Sequence, residues 1–119
     1  MWIFLPWGFF SVTWRDDLDC LQVRARHLRD LQKLVDAYPE MGTIETDAAA
    51  DYRWRVYCSR NQWATVVADA AHDIDYPNFK RRPHDFNPAR RWALFDVWRT
   101  MQRVQTEVER ALILPQQDD

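Results

Sequence analysis

The sequence predicts an α+β fold: a two-layer sandwich of a mostly antiparallel sheet and about three helices. Three observations predict it. Several short runs alternate apolar and polar residues with the period of two that a half-buried strand requires. The runs after His27, Ser59 and Asn87 instead repeat apolar residues at helical spacing. Hydrophobic residues make up 47% and charged residues 29% of 119 positions, which suits a chain that buries one core and excludes a disordered polyelectrolyte.

Leu5-Pro6-Trp7-Gly8 has turn chemistry, because proline presets φ at the second position and glycine suits the fourth. It joins two apolar runs, Trp2 to Leu5 and Phe9 to Trp14. Phe10, Val12 and Trp14 share one side of the second run, and Phe9, Ser11, Thr13 and Arg15 the other. After the polar connection Asp16 to Asp19, Leu21, Val23 and Ala25 alternate with Gln22, Arg24 and Arg26, so the start reads as a β-meander. From His27 the period changes: Leu28, Leu31, Leu34, Val35 and Tyr38 predict a helix that Pro39 ends. Thr43 to Thr46 is a short β-prone stretch. Tyr52, Trp54, Val56 and Cys58 alternate with Arg53, Arg55 and Tyr57 as a strand.

Ser59 and Gln62 have capping-box spacing at the head of a second helix, with Trp63, Val66, Val67, Ala70, Ala71 and Ile74 on its apolar face. Tyr76-Pro77 stops it. Asn87-Pro88 supplies a cap and a first-turn proline for a third helix, on which Leu94, Val97, Trp98, Met101, Val104, Val108 and Leu112 share a face. Leu21 to Ile74 fits the βαββα part of a ferredoxin-like unit. The whole reads as one domain over 1–114, with 115–119 a disordered tail and no internal repeat.

The composition excludes several function classes. Two glycines leave no glycine-rich phosphate cradle, and Cys20 and Cys58 form no CxxC pair, zinc ribbon or expected disulfide. No stretch approaches the length of a membrane span, and Pro6 and Gly8 interrupt the apolar start, so a cytoplasmic domain is the expectation. The net charge of −2 gives no whole-molecule attraction to nucleic acid, and only the distribution of charge can carry such binding.

That distribution supplies the first candidate site. If Val12, Val23 and Val56 face the helices, parity sends Arg15, Arg24, Arg26, Arg53 and Arg55 to the opposite sheet face with Phe9, Thr13 and Tyr57. Guanidinium groups beside aromatic rings suit phosphates and stacked bases. The competing reading is a solvated face on which Asp16, Asp17, Asp19 and Asp51 neutralise the arginines. A second basic region runs from Lys80 to Arg103, where Lys80, Arg81, Arg82, Arg90, Arg91, Arg99 and Arg103 outnumber Asp85 and Asp96; a long helix also needs a charged outer face. Trp7 on the hairpin tip and Trp92 beside Arg90 and Arg91 are candidate anchors for a partner protein or for a second copy of the chain. His72, Asp73 and Asp75 are the densest chemical cluster, suited to a hard cation or to a base oriented by Asp75; the alternative is local capping at a helix end. With His27 and His84 isolated and Ser59 serving as a cap, no catalytic residue, metal ligand or cofactor is assigned.

Together, Met1-Trp2-Ile3-Phe4, Gly8-Phe9-Phe10-Ser11-Val12, Val23 to Arg26, Asp51 to Val56 and Asp73-Ile74-Asp75-Tyr76-Pro77-Asn78-Phe79-Lys80 resemble a family of small bacterial and bacteriophage proteins of uncharacterised function, common in actinobacteria and their phages. The likeness reaches to about Gln105 and departs from the pattern at Trp7, at Arg81 to Pro88 and in the tail. It implies that the arginine strands and the segment Asp75, Tyr76, Asn78, Phe79 and Lys80 belong together. Asp75 would pair with Arg24 or Arg53, or the group would form a pocket for a phosphorylated or nucleotide-like ligand. The expected function is a non-enzymatic interaction protein, phage-encoded and binding a host macromolecule in the bacterial cytoplasm. The alternative is a nucleic-acid or nucleotide-binding module on the arginine face.

Overall fold

A computed structural model describes residues 1–79 and 88–113. Strands β1 (Trp2–Leu5), β2 (Gly8–Arg15) and β3 (Cys20–Ala25) precede helix α1 (Leu28–Ala37) and a single 3-10 turn (Pro39–Met41). Strands β4 (Glu45–Thr46) and β5 (Trp54–Cys58), helix α2 (Arg60–His72) and helix α3 (Pro88–Ile113) follow. The α+β expectation holds: the five strands form one antiparallel sheet in the order β1-β2-β3-β5-β4. Lys80, Arg81, Arg82, His84, Asp85, the Asn87 cap and the tail 115–119 lie outside the described residues. The residues group into two compact units, Met1–Pro77 and Asn78–Asp119. The first contains the sheet, α1 and α2, and the second contains α3.

In the first unit β3, α1, β4, β5 and α2 make the expected βαββα arrangement, with β5 between β3 and β4. The position on the other side of β3 is taken by β2, the strand that precedes it. Both helices cover one sheet face, where Leu31 and Leu34 of α1 and Trp63 and Val66 of α2 meet Phe10, Val12, Val23 and Val56. Phe10 is at the centre, with its ring 5.4 Å from that of Trp7 and 6.2 Å from that of Trp63.

Local chemistry fixes this packing. Leu5 and Gly8 pair across the Pro6-Trp7 turn. A Cβ at Gly8 would lie 3.0 Å from the Phe10 ring and 3.1 Å from Asp30 Cβ, so glycine is needed for close approach. Asp30, buried on α1, accepts the Phe9 amide through Oδ2 at 3.1 Å and ties the helix to the hairpin. His27 caps α1 through Nδ1, and Gly42 closes the 3-10 turn at φ 87°, a left-handed conformation that suits glycine. The capping box forms as the spacing predicts: Ser59 Oγ accepts the Gln62 amide at 3.1 Å and Gln62 Oε1 accepts the Ser59 amide at 2.8 Å.

Four apolar assignments are corrected. Leu28, the first residue of α1, and Ile74, two residues beyond the end of α2, are exposed. Trp14 is also exposed; it sits at the end of β2, where its indole donates to Asp16 and Arg60 stacks over it at 4.4 Å. Trp98 is exposed on α3 with Val97 and Met101, so helical spacing there marks an apolar face and not a core. The predicted strand at Thr43 to Thr46 shortens to Glu45–Thr46, and Tyr52 lies outside β5.

Candidate anion-binding face

The face opposite the helices is set by register. Ser11 pairs with Arg24, Thr13 with Gln22, Gln22 with Tyr57 and Arg24 with Arg55, so these side chains share one side of the pleat. Aromatic rings line its edge. Phe4 and Phe9 stack with centroids 4.5 Å apart, and Phe9 is 6.4 Å from the buried Tyr52. Arg24 and Arg26 lie over Tyr52 at 4.7 and 4.3 Å. Cation–π contacts of this kind pack a guanidinium without neutralising it.

The arginines divide by partner. Arg15 holds Asp17 through two bonds of 2.8 and 2.7 Å, and that ion pair raises the arginine pKa and lowers that of the carboxylate. Arg26 holds Asp51 at 3.0 and 3.4 Å, and its pKa is likewise raised. Arg53 is exposed just before β5, with its guanidinium over Trp54 at 5.5 Å. Arg24 and Arg55 meet no carboxylate among the described residues, although Glu45 is directly across from Arg55 on β4. Their acceptors are neutral: Ser11 Oγ at 2.7 Å for Arg24, and Gln22 Oε1 at 3.2 Å and the Tyr52 carbonyl at 2.7 Å for Arg55.

Two like charges therefore stand directly opposite each other, an arrangement that opposes pairing unless a counter-charge offsets it. The Nε atoms of Arg24 and Arg55 are both buried without an acceptor among the described residues. An oxyanion at this pair would supply the counter-charge that neither guanidinium meets among the described residues. Ser11 and Gln22, only 1% and 5% exposed, lie below as a polar floor that orients the guanidinium groups. Arg15 also donates to Gln22 at 2.9 Å and to the Tyr57 hydroxyl at 3.4 Å, extending the network along the face.

The structure thus brings together Arg24, Arg55 and Tyr57 of the expected residues, while Arg26 and Arg53 are engaged at the margin. Of the arginines expected to meet Asp75, Arg24 donates to Ser11 and Arg53 lies over Trp54. Asp75 follows α2 in the first unit, Asn78 belongs to the second, and Lys80 lies outside the described residues. Ser11, Gln22 and Tyr52 were not among the expected site residues. The period of two carries the signal for Ser11 and Gln22; nothing local carries it for Tyr52, which reaches the face from a loop.

The other candidates are placed as follows. Trp7 is half-buried against Phe10, so the hairpin tip holds core and offers no free anchor. Trp92 is 69% exposed on α3, next to exposed Arg91 and half-exposed Arg90. His72, Asp73 and Asp75 are exposed, with Asp73 at the C-cap of α2. Among the described residues no three His, Cys, Asp or Glu side chains gather as a metal-binding group. Cys20 and Cys58 are free; their positions in adjacent strands send them to opposite faces, and burial pushes the Cys58 thiol up to about 11. Among the described residues no helix is long and apolar enough to cross a membrane. No family model, curated protein or solved structure matches the chain.

Proposed function

We propose that this chain is a small non-enzymatic binding module, phage-encoded and acting on a macromolecule of the bacterial host in its cytoplasm. Its contact is the arginine face, and its ligand is anionic: a nucleotide, or the phosphates of a single-stranded nucleic acid. One observation supports this most directly. Arg24 and Arg55 stand side by side with no carboxylate partner among the described residues and with both Nε atoms buried and unmatched. The rings of Phe9 and Tyr57 on the same face offer stacking surface for bases.

The test is fluorescence anisotropy with labelled single-stranded RNA, single-stranded DNA and nucleotides at about 50 mM salt. Binding should weaken as salt rises, with a logarithmic slope of about −1.4 on a single strand if two phosphates are neutralised. Arg24→Ala with Arg55→Ala should lower affinity at least ~10-fold, the equivalent of about 1.4 kcal/mol. Absence of binding to all three probes at low salt overturns the reading.

A second reading, a protein partner gripped by Trp92 with Arg90 and Arg91, is favoured by the exposure of that indole. It predicts that a partner captured from host lysate survives the two arginine substitutions and is lost with Trp92→Ala and Arg91→Ala.

A further inference from the structure

Helix α3 presents an apolar seam with an internal spacing of its own. Val97, Met101, Val104 and Val108 follow one another at intervals of four, three and four, the alternation of a coiled-coil seam. Trp98 and Leu112 flank this line. All six side chains are between 39% and 69% exposed. A helix is stabilised chiefly by burial of such a face, and α3 has 26 residues.

We propose that α3 pairs through this seam with α3 of a second copy of the chain, antiparallel, about a two-fold axis. Charge selects the direction. Residues 88–103 carry Arg90, Arg91, Arg99 and Arg103 against Asp96 alone, whereas residues 104–113 carry Glu107 and Glu109 against Arg110. A parallel pair sets the two arginine-rich N-terminal halves side by side; an antiparallel pair moves Arg90, Arg91 and Arg99 of one copy away from those of the other and opposes the helix dipoles. The spacing is self-complementary in that direction. With the axis between Met101 and Val104, Val97 faces Val108 of the partner subunit and Met101 faces Val104 of the partner subunit, so one patch matches itself.

The area is sufficient. The six side chains leave roughly 600 Å² per copy, and two copies together reach the lower end of the range for specific interfaces. Trp92 projects from the side of the helix opposite the seam, so its use by another partner and this pairing are independent.

Sedimentation velocity of the full chain from about 1 to about 200 μM should show a monomer converting to a dimer. Met101→Glu with Val104→Glu should hold the chain monomeric throughout while keeping the helical circular dichroism, since glutamate is a good helix former. Thr106→Ala, on the outer side, should leave the dimer intact. A photo-crosslinking residue at position 97 should join the partner's tryptic peptide 104–110. A wild-type monomer at every concentration, or a dimer that survives both glutamates, overturns the proposal. Crosslinking to peptide 92–99 overturns the antiparallel direction.

Discussion

On the helix side of the sheet, Phe10, Val23 and Val56 lose all contact with solvent; one residue along the same strands, on the other side, Arg24 and Arg55 keep full charges beside each other. The first face is finished by the chain itself, because α1 and α2 supply the surface that its hydrocarbons need. The second is finished only in part. Arg15 and Arg26 find aspartates, whereas among the described residues the central pair finds neutral oxygens. The contrast separates two uses of one pleated ribbon: one face stabilises the fold, and the other holds charge in place at some cost to it.

The contrast fails if the two faces prove equally important for stability. The largest effect belongs to the helix side: Phe10→Ala should cost about 3–5 kcal/mol in urea-induced unfolding, since the ring is fully buried between Trp7 and Trp63. On the other side, Arg24→Gln with Arg55→Gln should change stability by no more than about 1 kcal/mol, because lost hydrogen bonds to neutral acceptors are offset by relief of like-charge repulsion. A loss comparable to that of Phe10→Ala would make the arginines structural and remove the reason to look for an anion.

Much of this contrast is legible in the sequence because it rests on period. Alternation sends Val12, Val23 and Val56 one way and Arg24 and Arg55 the other, and no tertiary contact is needed to see it. The turn at Pro6-Trp7 and the cap at Ser59 are legible for the same local reason. Partnership is not. Asp17 is two residues from Arg15, but Asp51 is separated from Arg26 by twenty-five positions, and only the fold shows that these arginines are neutralised while Arg24 meets no carboxylate among the described residues. Asp30 reads as an ordinary helix-surface carboxylate, yet it is buried to receive the Phe9 amide. The stripe that holds Trp98 has the same spacing whether or not anything covers it, so its exposure is not legible.

A bond of comparably small effect tests the rim of the helix layer, where the residue after α1 is tied to α2. The Tyr38 hydroxyl donates to Asp69 Oδ2 at 2.6 Å, and burial first, then that bond, pushes the phenol up to about 12 from its ordinary value of 10.0. The protonated form is the one the fold prefers, so the contribution is complete below about pH 10, where the unfolded chain also keeps its proton. It is lost as pH rises toward 12, because the unfolded phenol ionises first and draws the equilibrium toward unfolding. Tyr38→Phe should therefore lower neutral-pH stability by about 0.5–1.5 kcal/mol and flatten the alkaline decline between these limits. Parallel denaturation curves at neutral and alkaline pH for the two proteins measure both effects. An unchanged alkaline slope would show that the Asp69 bond contributes nothing to holding α1 against α2, leaving the helix layer dependent on its apolar contacts alone.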